Sequence, residues 1–115
     1  MSTVKVTYFD RAAVRRAVDE HVRVLAASHP ELEEVILFGS VASGTPVPGS
    51  DVDLLLILSS SDQPFLDRIP AFLPAGLPVA VDIFPYTRDE IERMKRDNNG
   101  FVLGALRDGV RIFRR

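Results

Sequence analysis

The sequence has no cysteine and only two histidines among its 115 residues. The absence of cysteine excludes a disulfide framework, thiolate catalysis and zinc ligation by cysteine, and it fits the reducing cytoplasm, where we expect the protein to reside. His21 and His29 do not stand at a metal-ligand spacing. His21 falls near the apolar stripe of a predicted helix, which favours a packing role, whereas His29 is expected to be solvated in a loop.

Long hydrophobic runs are also missing, and none approaches the roughly 20 apolar residues that a membrane-spanning helix needs. The segment Met1–Lys5 lacks the basic and apolar regions of a signal peptide. The net charge is −2, and the twelve arginines and two lysines are dispersed along the chain. A protein that tracks a phosphate backbone has a concentrated basic surface, so we expect neither membrane association nor direct nucleic-acid binding.

A length of 115 residues fits one domain, which we place at 1–115. Apolar periodicity predicts an α/β or α+β architecture, a small mixed central sheet flanked by helices. The run 54–58 is apolar on both faces, which is typical of a covered central strand. The predicted elements are a helix over 11–28, strands at about 34–38 and 52–58, a helix within 60–73 that Ser61–Asp62 could cap, a strand over 79–84, a helix opening at the capping box Thr87–Glu90, a helix over 101–107 and an edge strand over 110–113.

Two aspartates, Asp51 and Asp53, stand at the head of the second predicted strand, separated by one residue. Alternate side chains of a strand share a face, so both carboxylates are expected to project together while Val52 and Leu54 pack on the opposite side. Adjacent like charges repel, and a divalent cation would compensate them and keep both ionised. A turn with a capping aspartate is the simpler interpretation of such a pair standing alone. An EF-hand calcium loop is excluded because Leu55 stands where an oxygen ligand would be needed.

The residues upstream of this pair predict a phosphate site. The strand over 34–38 stops at Gly39, and the segment that follows is consistent with one turn of helix closed by Gly44. Unpaired backbone amides at a helix N-terminus bind anions, a glycine lets a phosphate approach them closely, and Ser40 adds a hydroxyl donor. Gly39 and Gly44 could also be simple turn glycines, because their functional interpretation depends on the aspartates.

The segment Gly39–Gly44, a gap of five residues and then Ser50–Leu54 resembles the signature of the minimal nucleotidyltransferases of the DNA polymerase β superfamily. In that family a third carboxylate comes from a later strand, and Asp82 in the predicted strand 79–84 is similar to it. The resemblance implies a polymerase β-like nucleotidyltransferase fold. It also implies a set of site residues, with the nucleotide bound by Gly39, Ser40 and Ser50 and with the catalytic, metal-binding role held by Asp51, Asp53 and Asp82.

The resemblance further implies magnesium-dependent transfer of AMP from ATP. In this hypothesis Asp51 and Asp53 hold one of two Mg²⁺ ions at the β and γ phosphates, and Asp53 and Asp82 share the second near the α phosphate. Asp82 is also placed to act as general base on an acceptor hydroxyl.

The resemblance implies a protein partner as well. Stand-alone members of the family are typically antitoxins of toxin-antitoxin pairs, their partner is an all-helical HEPN protein, and the acceptor is commonly a tyrosine hydroxyl of that partner. The length of the chain agrees with an external acceptor, since no residues remain for a second domain that would hold one. Assembly as a homo-oligomer or as a hetero-oligomer with the partner is left open.

The sequence departs from the family pattern within the Gly-Ser motif. Many relatives carry arginines at the positions of Val41 and Ser43. Their absence removes positive charge that would face a triphosphate, so either nucleotide affinity is weak or another arginine substitutes. Two alternatives therefore stay open: a binding module that neutralises its partner by occlusion, and transfer to a small molecule such as an antibiotic.

Overall fold

The computed structural model describes residues 11–39, 52–74, 76–77 and 80–115. The elements in chain order are α1 (Arg11–Ser28), β1 (Leu32–Phe38), β2 (Val52–Leu58), α2 (Phe65–Phe72), β3 (Val81–Thr87), α3 (Arg88–Arg96), α4 (Gly100–Asp108) and β4 (Val110–Arg114). Helix α1 and strand β2 have the predicted bounds, and β1 begins two residues earlier than predicted. None of the described helices is long and apolar enough to span a membrane.

The described strands form one sheet in the order β3-β2-β1-β4. Strand β1 is antiparallel to β2 and to β4, whereas β2 and β3 run parallel. The prediction of a small mixed sheet flanked by helices is therefore confirmed. A parallel pair needs a long crossover connection, and α2 lies in the connection between β2 and β3. Strand β2 is buried from Leu54 to Leu58, which confirms it as a covered central strand.

Helices cover both faces of the sheet. On one face, the even-numbered side chains of β2 pack with α1, for example through Val18. On the other face, Leu55 and Ile57 of β2 pack with α3 and α4 through Ile91 and Val102. We call this second face the α4 face. Because side chains alternate along a strand, Asp53 lies on the α4 face together with Leu55 and Ile57.

Two local features differ from the predictions, and a third agrees with them. Strand β3 continues to Thr87 through Pro85, whereas it was predicted to end at 84; its predicted start at 79 lies outside the described residues. Proline is tolerated because β3 is an edge strand, and the Pro85 carbonyl accepts a hydrogen bond from Arg68 instead of joining the ladder. Helix α2 begins after Pro64 without a side-chain cap, so the predicted cap at 61–62 is wrong. The capping box of Thr87 and Glu90 is confirmed.

The two histidines pack near the C-terminal end of α2. Nε2 of His21 lies 3.2 Å from the Phe72 carbonyl oxygen, and this half-buried position confirms the packing role. The His29 ring lies with its centroid 4.6 Å from that of Phe72, and its Nδ1 is 3.3 Å from Glu31 Oε2. The prediction that His29 lies in a loop is confirmed, but the expected solvation is wrong, because the ring is half-buried against Phe72.

Candidate functional site

The two described aspartates of the predicted site lie side by side on neighbouring strands. Asp53 is the second residue of β2, Asp82 is the second residue of β3, and the parallel register pairs them directly. Paired positions project their side chains to the same face, and neighbouring strands are about 4.8 Å apart. Asp53 is half-buried and Asp82 is exposed. The two carboxylates thus lie next to each other on the α4 face, at the N-terminal ends of β2 and β3, and solvent reaches them on the β3 side.

Phe38 extends this row onto β1. The antiparallel register places Phe38 opposite Asp53, so the row Phe38, Asp53 and Asp82 crosses three strands on one face. The next row behind it on the same face contains Leu55 and Phe84. The acidic pair is therefore bordered by apolar side chains, and apolar surroundings strengthen the interaction of a carboxylate with a bound cation.

Gly39 directly follows β1 and lies against Asp53. Its φ is +89°, a conformation that favours glycine. A Cβ atom at this position would lie 2.5 Å from Asp53 Oδ2 and 3.4 Å from its Cγ. Since Cβ atoms do not approach other atoms as closely as 2.5 Å, the absence of a side chain lets β1 end beside this carboxylate.

Three phenylalanines form a cluster behind the acidic pair that was not predicted from the sequence. Their ring centroids are 5.8 Å apart for Phe38 and Phe84, 5.5 Å for Phe38 and Phe101, and 4.9 Å for Phe84 and Phe101. Phe101 belongs to α4 and contacts rings on both β1 and β3, the strands that flank β2. It remains 41% exposed. Strand alternation from Asp82 could have placed Phe84 on this face, but no pattern in the sequence brings Phe101 to it.

A cavity of about 320 Å³ opens between the end of β1 and α4, and its lining consists of Phe38, Gly39, Gly104, Ala105 and Asp108. We call it the α4 cavity. A Cβ atom on Gly104 would meet nothing within 4 Å among the described residues, so there is open space at this position. The Asp108 carboxylate accepts hydrogen bonds of 3.0 and 2.9 Å from Arg107, which lower the pKa of Asp108 from its ordinary value. The cavity therefore combines apolar and small residues with one ionised carboxylate.

The other predicted site residues, Ser40, Ser50 and Asp51, lie outside the described residues, as do Val41 and Ser43. Within the described ranges, no group of three His, Cys, Asp or Glu side chains is arranged to hold a metal ion. The carboxylates that the structure brings together are Asp53 and Asp82. The third ligand, Asp51, stays a prediction.

Three arginines are engaged at the opposite end of the strands from the acidic pair. Arg68 pairs with Glu90, which follows the C-terminal end of β3, and Arg88 pairs with Glu33 and Glu34 near the start of β1. Arg115 donates hydrogen bonds to backbone carbonyls after α1. None of these three arginines substitutes for the positive charge missing at positions 41 and 43.

The chain matches a family model described as "Nucleotidyltransferase domain" over residues 18–105. Search among curated protein sequences gave no significant match. Both aspartates of the described pair, Gly39 and most of α4 fall within the matched range.

Solved structures of other proteins share the fold, and two of them are compared with this chain. One is described as a candidate nucleotidyltransferase from Sulfolobus solfataricus; it is 26% identical, with a TM-score of 0.64 over 94% of this chain and 91% of that chain. The other is described as a toxin-antitoxin with AMP-PNP; it is 19% identical, with a TM-score of 0.60 over 84% of this chain and 73% of that chain. At this identity the second similarity concerns the fold alone.

Proposed function

Because the chain belongs to the nucleotidyltransferase domain family, we propose that it transfers AMP from ATP to a hydroxyl group of a partner protein. The observation that carries the proposal is the direct pairing of Asp53 with Asp82 beside the close approach of Gly39. The acidic pair supplies cation ligands beside Gly39, and in this proposal the backbone amides that follow Gly39 donate hydrogen bonds to the phosphates, as transfer of a nucleotidyl group needs.

The residues present fit a magnesium ion. Asp53 and Asp82 present hard oxygen ligands from adjacent positions on one face, and together with Asp51 they would hold the cation. When bound, Mg²⁺ neutralises phosphate charge and polarises the α phosphate. A second ion at the same carboxylates, as in other phosphoryl-transfer sites, is part of the proposal.

The chain's own residues have separate roles in the proposed reaction. Gly39 and the amides that follow it bind the β and γ phosphates, which fixes the leaving group at the β1 side of the row. Asp82, at the β3 side and open to solvent, accepts the proton of the acceptor hydroxyl. The hydroxyl oxygen then forms a bond to the α phosphorus, the bond from that phosphorus to the bridging oxygen breaks, and pyrophosphate leaves. The products are the adenylylated acceptor and pyrophosphate.

The proposed acceptor is a tyrosine hydroxyl of an all-helical HEPN toxin, and the chain would act in the cytoplasm as the antitoxin. Two observations support a protein acceptor. One structure that shares the fold is described as a toxin-antitoxin with AMP-PNP. The exposure of Asp82 is consistent with an acceptor that approaches from another molecule.

Incubation of the chain with Mg²⁺, α-labelled ATP and the protein encoded by the adjacent gene tests the proposal. We expect the label to appear on that protein, and we expect Asp53→Asn and Asp82→Asn to abolish the transfer. Asp62→Asn is the matched control, because Asp62 is an exposed acid on the loop before α2. Partner neutralisation without label that survives Asp53→Asn would instead support occlusion, and label on a small molecule would support a different acceptor class.

A further inference from the structure

We propose that the α4 cavity binds the nucleobase of the nucleoside triphosphate, with a preference for bases that carry an exocyclic amine. This inference rests on the proposed function, because it identifies which part of the same substrate the cavity takes. It goes further by assigning a role to α4, a helix that carries none of the predicted site residues.

The cavity adjoins the proposed phosphate site, where the nucleoside of the bound triphosphate has to be accommodated. Gly39 belongs both to the proposed phosphate site and to the cavity wall, and Phe38 belongs both to the wall and to the row of Asp53 and Asp82. In an in-line displacement the acceptor and the leaving pyrophosphate lie on opposite sides of the α phosphorus. The nucleoside is attached to the same phosphorus and must therefore extend to one side of the line that joins them. On the α4 face, the space beside the row at Gly39 is the α4 cavity.

The lining suits a base and not a phosphate. Among the described residues that line the cavity, no side chain is basic and the one charged group is the Asp108 carboxylate, so this lining offers no cation to a phosphate. The Phe38 ring and the small residues Gly104 and Ala105 instead offer apolar surface to a flat heterocycle. A volume of about 320 Å³ falls in the range of roughly 300 to 1,000 Å³ that is usual for small-molecule pockets.

Residues on one side of α4 face the cavity or border it. Phe101, Gly104, Ala105 and Asp108 stand at spacings of three, four and seven residues, so they share one side of the helix. Gly104 contributes the open space, and the 41% exposed Phe101 continues the apolar surface towards the acidic pair. Glycine within a helix lowers stability, so the fold alone does not require a glycine at position 104. The open space that Gly104 leaves at the cavity gives a reason for it.

Asp108 gives the preference among bases. An ionised carboxylate only accepts hydrogen bonds, and it has about four acceptor positions, of which Arg107 occupies two. Adenine, guanine and cytosine offer an exocyclic amine to the remaining positions. Uracil offers carbonyl oxygens on both sides of its ring N–H, and these would face the carboxylate. We therefore expect ATP, GTP and CTP to bind more tightly than UTP.

Substitution of Gly104 by leucine tests the inference, because the new side chain fills the cavity without meeting described atoms within 4 Å of its Cβ. Isothermal titration with Mg-ATP should show an affinity loss of about tenfold or more, whereas Mg-tripolyphosphate, which has no base, should bind as it does to the wild type. Gly100→Leu is the matched control in the same helix, since Gly100 also has open space but does not line the cavity. Neither variant should lower the melting temperature, because leucine is the better helix former.

The outcomes separate this inference from the proposed function. Unchanged ATP affinity in Gly104→Leu, or an equal loss for ATP and tripolyphosphate, would overturn the base site while Asp53→Asn still tests transfer. A wild-type chain that binds neither ligand would overturn both proposals. In Asp108→Asn the ratio of ATP to UTP affinity should fall about threefold or more, because an amide can also donate to uracil. An unchanged ratio would overturn the amine preference.

Discussion

Gly39 lies so close to Asp53 that a Cβ atom on the glycine would sit 2.5 Å from the Oδ2 atom of the aspartate. The left-handed φ of +89° imposes a second, independent requirement for glycine at this position. A strand end that served only as a turn would need the conformation but not the close contact. The contact links the end of β1 to the position of a carboxylate that we propose to be catalytic.

Gly39→Ala should therefore impair both the fold and the site. We expect a loss of about 1 to 3 kcal/mol in the free energy of unfolding, because the new methyl group must displace the Asp53 carboxylate or distort the backbone. We also expect weaker Mg-ATP binding, since Asp53 would leave its row with Asp82. Urea denaturation and isothermal titration measure the two effects.

Gly100→Ala serves as the control for Gly39→Ala. Gly100 is the first residue of α4, and a Cβ atom there would meet nothing within 4 Å among the described residues. Its stability should be equal to that of the wild type or higher. A Gly39→Ala variant with wild-type stability and wild-type ATP affinity would show that the close contact has no role.

The pairing of Asp53 with Asp82 could be predicted from the sequence, whereas the contribution of α4 to the site could not. Alternation along an apolar strand and a family motif are local patterns, and both aspartates stand in such patterns. Phe101 and Gly104 belong to a helix whose sequence does not indicate which end of the sheet it crosses. Only the packed structure shows that this helix passes behind the acidic pair.

A buried ion pair joins α2 to α3. The Arg68 guanidinium donates hydrogen bonds of 2.7 and 3.0 Å to the two carboxylate oxygens of Glu90, and it also donates to the carbonyls of Gln63 and Pro85. The arginine side chain is 6% exposed. Arg68→Ala should lower the free energy of unfolding by about 3 kcal/mol, because it leaves a partly buried carboxylate and a carbonyl without their donor. Chemical denaturation measures this loss.

Two further variants make this prediction specific. Arg68→Lys keeps the charge but cannot form the two parallel hydrogen bonds, so we expect an intermediate loss. Lys95→Ala removes an exposed partner of Glu92 and should change stability by no more than about 0.5 kcal/mol. Equal effects of Arg68→Ala and Lys95→Ala would contradict the importance of burial.

The same pair predicts how stability depends on acid. The hydrogen bond from Arg68 is the main cause that lowers the pKa of Glu90 from 4.5 to about 2, and the Thr87 amide contributes. Above about pH 4.5 Glu90 is ionised in both the folded and unfolded states, so its contribution to stability is complete. Between pH 4.5 and pH 2 the unfolded state takes up the proton first, and this contribution is lost as the pH falls.

Glu90→Gln should remove that part of the pH dependence. Denaturation at several pH values between 5 and 2 would show a shallower decline for Glu90→Gln than for the wild type, from a lower starting stability. Glu92→Gln, in the same helix but with an exposed partner, should retain the wild-type slope. A wild-type slope in Glu90→Gln would mean that other carboxylates cause the acid sensitivity.

Most helices and strands could be predicted because their sequence signals are local. The errors occur where tertiary contacts determine the local structure. The capping box fixes the start of α3, and apolar periodicity fixes α1. Strand β3 passes through Pro85 because an edge position leaves its nitrogen outside the ladder, which no local pattern indicates. Arg115 gave no signal beyond its charge, yet the antiparallel pairing of β4 with β1 carries it to the end of α1.

Arg115 caps the C-terminal end of α1 from the other end of the described chain. Its guanidinium donates to the carbonyls of Leu32 and Ala26, each at 2.6 Å, and to that of His29 at 3.0 Å. The last carbonyls of a helix have no partner within the helix, and a positive charge is favourable there. Arg115→Ala should therefore lower the free energy of unfolding by about 2 kcal/mol, measured by urea denaturation.

Arg114→Ala provides the comparison, because Arg114 is the neighbour of Arg115, is likewise exposed and carries the same charge. Arg115→Lys should recover only part of the lost stability, since an ammonium keeps the charge but cannot reach three carbonyls in the geometry of a planar guanidinium. Equal losses in Arg114→Ala and Arg115→Ala would show that net charge, and not the contact with the carbonyls, stabilises this end of α1. Because the carbonyls lie on α1, in the turn after it and in β1, a specific loss in Arg115→Ala would show that one side chain joins all three segments.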